Sequence, residues 1–81
     1  MPYTPENIKA EAFIAGDIDL YNVAREYPDF RMIRFSQLDA VKRGLARLGY
    51  RVRIRYRGPH RQLRDTLKRN ARNFTVYFQS K

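Results

Sequence analysis

From residue 50 to residue 57, apolar and charged side chains take strict turns along the chain. Tyr50, Val52, Ile54 and Tyr56 alternate with Arg51, Arg53, Arg55 and Arg57. A period of two belongs to a strand, in which residues two apart stand roughly 6.6 Å from each other on the same side. The segment is therefore expected to turn an apolar side to a core and an all-arginine side away from it.

Elsewhere the pattern is helical and well punctuated. Thr4 before Pro5 and Glu6 marks a helix start, because a hydroxyl caps and proline fits the first helical position, and Gly16 is a natural stop. Asp17 or Asp19 caps a second helix whose apolar stripe is Leu20, Val23, Ala24 and Tyr27, and Pro28 ends it. "FRMIRF", residues 30–35, is short and rich in aromatic and branched residues and predicts a strand. Ser36, with Asp39 three positions on, predicts a third helix carrying Leu38, Val41, Leu45 and Leu48 in one row, closed by Gly49. The arginine strand follows, and Gly58-Pro59 breaks it. In "HRQLRDTLKRNAR", residues 60–72, Leu63 and Leu67 lie on one side of a predicted helix, with Arg61, Arg64, Lys68 and Arg72 mostly on the other and Arg69 adding to the charge. "NFTVYFQ", residues 73–79, predicts a last strand with Phe74, Val76 and Phe78 inward and Thr75, Tyr77 and Gln79 outward.

The order α-α-β-α-β-α-β predicts an α/β (or α+β) fold: an N-terminal helical hairpin followed by β-α-β-α-β, with a small three-stranded sheet that has one arginine-rich face. Strands separated by helices favour parallel pairing through right-handed crossovers, which would set both connecting helices on one side. A parallel sheet is normally covered on both sides, so either the hairpin covers the arginines or they form a platform; an antiparallel sheet with one wet side is the other solution. A chain of 81 residues is one domain, 1–81, made of an acidic hairpin, 1–28, and a basic part, 30–80. Tyr3, Phe13, Tyr21, Tyr27, Phe30 and Phe35 are expected to fill its core.

Composition narrows the chemistry. The chain has no cysteine, which excludes disulfides and thiolate sites, and a single histidine, His60, which excludes a His-rich metal site. No metal, cofactor or small-molecule substrate is expected, and the acidic side chains around the first helix ends suit helix dipoles rather than a calcium loop. No apolar run reaches the ~20 residues of a membrane span, and the first residues lack the order of a signal peptide, so a cytoplasmic protein without membrane association is expected.

Charge is unevenly placed. Residues 1–39 carry four basic side chains against seven acidic ones, a net −3, while residues 40–81 carry thirteen basic ones against Asp65 alone, a net +12. That asymmetry points to a polyanionic partner, nucleic acid first and an acidic protein surface second. Charges on exposed strands also serve solubility, and the acidic half folding over the basic half, or meeting it in another copy, would neutralise it. Four arginines in a row with no carboxylate between them exceed what solubility requires. Guanidinium groups bind phosphate through two parallel hydrogen bonds and stack on bases. The expected function is thus non-enzymatic binding of nucleic acid, through the phosphate backbone and with single strands as candidate ligands, by Arg51, Arg53, Arg55, Arg57, Arg61, Arg64, Lys68, Arg69 and Arg72, with Tyr77 offering a ring to a base. The alternative is an accessory or inhibitor protein, of the small basic type that viruses and mobile elements encode, docking on an acidic partner.

"ARLGYRVRIRYRGPH", at the end of residues 36–60, places a helix, a strand, a glycine and His60 in succession beside basic residues. In this it resembles the HicA-type ribonuclease toxins, which carry Gly-Ser-His after a helix and strand in a small basic fold. The resemblance implies His60 as a general acid or base on a phosphodiester. Pro59 stands where that family has serine, and a helix is predicted where that family continues in strands.

Overall fold

Two residues end one helix and begin the next. In the computed structural model, which describes residues 5–58 and 71–80, α1 (Pro5–Ala15) stops at Gly16, whose φ of 74° is a left-handed conformation that a Cβ disfavours. The Gly16 amide donates to the Phe13 carbonyl at 3.2 Å and the Asp17 amide to the Ala12 carbonyl at 2.9 Å, the paired bonds of a Schellman stop. The Asp17 carboxylate then accepts from the Leu20 amide at 3.1 Å and caps α2 (Ile18–Glu26).

α3 (Leu38–Arg47) is entered through a 3-10 turn, Phe35–Gln37. Ser36 lies inside that turn and is not the cap the sequence suggests; Gln37 holds the cap position without a side-chain bond to the helix. Its amide group is engaged elsewhere, accepting from the Tyr27 hydroxyl at 2.6 Å and donating to the Glu26 carboxylate at 3.2 Å, which ties the end of α2 to the start of α3. α2 and α3 approach closely at Gly44, where a Cβ would stand 2.8 Å from the Asp17 carboxylate and 2.9 Å from the Leu20 side chain.

Among the described residues the sheet has two strands, β1 (Tyr50–Tyr56) and β2 (Phe74–Ser80), paired antiparallel with Arg53 opposite Tyr77 and Arg55 opposite Thr75. The fold is mixed α+β. The antiparallel pairing replaces the parallel crossover expected from the order of elements, and it is the arrangement that leaves one side of a sheet wet. The predicted helix over 60–72 falls outside the described residues except for Ala71 and Arg72, which precede β2 without helical structure.

The strand predicted over 30–35 does not form. Phe30 and Met32 adopt φ of 52° and 57°, outside the extended region, and only Ile33 bridges to Phe74. Burial explains the departure. Phe30 and Ile33 are both in the core; three residues apart, they would face opposite sides of a regular strand, so the backbone kinks to bury both. The kinked segment still runs beside β2. The Val76 amide donates to the Phe30 carbonyl at 3.0 Å, the Ile33 amide to the Phe74 carbonyl at 2.9 Å, and the Phe35 amide to the Ala71 carbonyl at 3.0 Å. An irregular third track therefore satisfies the edge of β2 that would otherwise stand open.

The core gathers Ile8 and Ala12 of α1, Leu20, Val23 and Ala24 of α2, Leu38, Val41 and Leu45 of α3, and Tyr50, Phe74 and Val76 of the sheet around Phe30 and Ile33. Val52, Ile54, Tyr56 and Phe78 pack against it half-buried. The expected aromatic core is only partly right: Phe30 is buried and Tyr21 and Tyr27 are half-buried, but Phe13 is 72% exposed and Phe35 is at the surface. Ile8 and Ala12 share one helical side of α1, and Phe13, about 100° further round, falls outside it, its ring tilted at 54° to that of Tyr21 with 5.8 Å between centroids. Tyr3 lies outside the described residues.

Candidate functional site

The helices and the apolar residues of the sheet share a single core, so α1–α3 sit on the side of β1 to which Val52, Ile54 and Tyr56 point. The odd-numbered positions of β1 point away from it. Arg51, Arg53, Arg55 and Arg57 are all exposed. Their cross-strand neighbours are Gln79 for Arg51, Tyr77 for Arg53 and Thr75 for Arg55, and the Arg57 amide donates to the Asn73 carbonyl at 2.6 Å. No carboxylate stands in those positions of β2 to neutralise the guanidiniums. From Arg51 to Arg57 the row spans roughly 20 Å. A shallow depression of about 480 Å³ is lined by Arg51, Arg53, Arg55, Tyr77 and Gln79, together with Val52 and Phe78.

Tyr77 is the ring in this setting, 41% exposed. The Arg57 Nη2 donates to its hydroxyl at 2.5 Å, and the Arg57 guanidinium carbon stands 5.9 Å from the ring centroid. Arg57 faces Asn73, so to reach Tyr77 its side chain runs back along the sheet over Thr75. Thr75, predicted to face outward, is only 9% exposed although it pairs with the exposed Arg55. The hydrogen bond from Arg57 is the main reason that the Tyr77 phenol is held below its ordinary value; desolvation opposes it, and the charges of Arg57, Arg55 and Arg31 add to it.

Arg31 was not legible as a member of this group. It belongs to the kinked track, one peptide after the Phe30 carbonyl that receives the Val76 amide, and so flanks β2 on the side away from β1. The signal was available: burying Phe30 and Ile33 of "FRMIRF" leaves Arg31, Met32 and Arg34 outside, and all three are exposed. Arg72 is exposed just before β2. Arg61, Arg64, Lys68, Arg69 and the candidate acid–base residue His60 lie outside the described residues.

The acidic side chains have other positions. Glu11 on α1 accepts from the Tyr50 hydroxyl at 2.5 Å, joining α1 to the start of β1, and Glu26 and Asp17 serve the helix ends. Among the described residues no group of three histidines, cysteines or carboxylates stands together as a metal site, and no helix is long and apolar enough to cross a membrane. The chain matches no known family, and neither a curated protein nor a solved structure matches it in sequence or fold.

Proposed function

We propose that this protein binds nucleic acid, without catalysing a reaction, by holding the phosphate backbone on the outer side of β1. The observation that carries this reading is the row Arg51, Arg53, Arg55 and Arg57, exposed along one strand with Gln79, Tyr77, Thr75 and Asn73 across from it. Like charges so close repel one another and add nothing to the core, so the arrangement costs stability and is understood if an anion meets it. Phosphates are such anions, and each one neutralised releases counterions, which drives association at low salt. The side chains available there, guanidiniums, amides, a hydroxyl and a phenol, hold and orient an anion but supply no acid–base pair for hydrolysis.

The test is a salt series. The full chain is titrated onto a labelled oligonucleotide by fluorescence anisotropy, and the logarithm of affinity is followed against the logarithm of salt. With three or four guanidiniums engaged, the slope is expected at about −2 to −4, from −0.7 to −0.9 per phosphate. No binding at ~50 mM salt, where such contacts are strong, overturns the reading. An acidic protein surface then becomes the partner to seek.

A further inference from the structure

Whether a nucleic acid on this surface is paired or unpaired is decided by Tyr77 and by the two tracks that flank it. In a duplex every base is already stacked between its neighbours, and a ring lying on a sheet has nothing to pair with. In a single strand the bases are available, and aromatic rings on sheets are where they stack. Tyr77 has the required geometry. Its ring is part-exposed on the outer side of β2, the strand between β1 and the kinked track. Arg53 stands directly opposite it on β1, and Arg31 flanks it on the other side. Arg57 grips the hydroxyl, which fixes the ring and satisfies its one polar atom; with the guanidinium carbon 5.9 Å from the centroid, the ring is still 41% exposed.

We propose that Tyr77 is the stacking platform for one unpaired base of a single-stranded nucleic acid, whose backbone crosses the sheet from Arg53 and Arg55 of β1 to Arg31 of the kinked track. Arg57 is a positioning residue in this arrangement, acting through the ring. The inference rests on the phosphate-binding reading above and adds the class of ligand and the direction of the strand: across β1 and β2, instead of along the arginine row. The kink has a part in it. Two left-handed residues, Phe30 and Met32, neither of them glycine, bracket Arg31. Such backbone is unfavourable and persists where the surroundings impose it. Here the burial of Phe30 and Ile33 imposes it, and the product is an exposed Arg31 on the track that flanks β2, where a regular strand would have continued its alternation.

The experiment uses three probes at one low salt concentration: a single-stranded oligothymidylate, an abasic oligomer with the same sugar–phosphate backbone, and a blunt duplex. The parent protein is expected to bind the single strand more tightly than either of the others. Tyr77→Ala is expected to lose about five-fold or more on the oligothymidylate, the low end of one base-stacking contact, and nothing on the abasic oligomer. Tyr77→Phe, which keeps the ring and controls for folding, is expected to retain the preference. Arg31→Ala is expected to weaken both single-stranded probes alike. Equal affinity of the parent for thymidylate and abasic oligomers, or tighter binding of the duplex, overturns this inference and leaves the phosphate reading standing; that comparison needs no variant. Loss of all three probes overturns both.

Discussion

Arg57 donates its hydrogen bond to Tyr77 from four residues beyond Arg53, the arginine that faces Tyr77 across the ladder. One guanidinium of the row is thereby committed to the protein's own surface, while Arg51, Arg53 and Arg55 border the open depression. Thr75 of β2, between Asn73 and Tyr77, is only 9% exposed, so the outer side of the sheet is partly built and not a plain fringe of charges.

That link makes a titration prediction. The Arg57 bond and the charges of Arg57, Arg55 and Arg31 favour the phenolate, so Tyr77 ionises below the ordinary 10.0 of a phenol. Ultraviolet titration is expected to show a low-ionising tyrosine that vanishes in Tyr77→Phe and moves upward in Arg57→Ala. Since the phenolate places a negative charge among the arginines, oligonucleotide affinity should fall as pH rises through that ionisation, and Tyr77→Phe should remove this component of the fall. An unchanged titration in Arg57→Ala means that the link is not made in solution.

The two sides of β1 are expected to answer differently to alanine. Val52→Ala or Ile54→Ala removes half-buried packing and should cost roughly 1–3 kcal/mol in urea unfolding. Arg53→Ala should leave the midpoint almost in place and flatten the salt slope by about 0.7–0.9. The reverse pattern means that the sides have been assigned the wrong way round.

Within α1, Ile8 and Ile14 give a sharper contrast, being the same residue type on one helix. Ile8 is fully buried and Ile14 is 84% exposed. Ile8→Ala is expected to cost about 2–5 kcal/mol and Ile14→Ala about 0.5 kcal/mol or less. Comparable losses would show that α1 is rotated relative to the core.

At Gly44 the closeness of α2 and α3 opposes helix propensity. Alanine is favoured over glycine within a helix by about 1 kcal/mol, but its Cβ would meet the Leu20 side chain at 2.9 Å. Forcing the two helices apart costs on the order of 1–3 kcal/mol, so Gly44→Ala is expected to lower the thermal midpoint. A raised midpoint would place α2 farther from α3.

Met32 offers the opposite outcome. Its side chain is exposed and its φ is 57°, so little contact is lost and left-handed strain of roughly 1–2 kcal/mol is relieved on replacement by glycine. Against that stands the extra freedom glycine gives the unfolded chain, about 0.5–1 kcal/mol. Met32→Gly should therefore be neutral to stabilising by up to about 1 kcal/mol in chemical denaturation, and a clear loss of stability means that the segment is not kinked there.

Several elements could be read without the fold because their causes are local. Gly16 and Asp17 terminate and cap helices through bonds made within a few residues, and the alternation at 50–56 names which side of β1 meets the core, whereas in β2 Thr75 is buried between Phe74 and Val76. The arginine row was visible for the same reason, as a consequence of period two. Ser36 misled because a capping hydroxyl is only a local preference, and the ties from Gln37 to Tyr27 and Glu26 drew the chain into a 3-10 turn first.

What the sequence determined by itself is thus the set of elements with short-range causes: α1, α2, the body of α3, β1, β2 and the charge that β1 carries. The tertiary structure alone decided that β2 returns antiparallel, that residues 30–35 kink instead of extending, that Phe13 stays outside while Phe30 goes in, and that Arg57 reaches Tyr77 while Arg31 sits on the track flanking β2. The physical reason is the range of the forces. Capping and side-chain alternation act over one to four residues, whereas the kink follows from the core's demand for both Phe30 and Ile33, and the link from Arg57 to Tyr77 joins residues twenty apart along the chain.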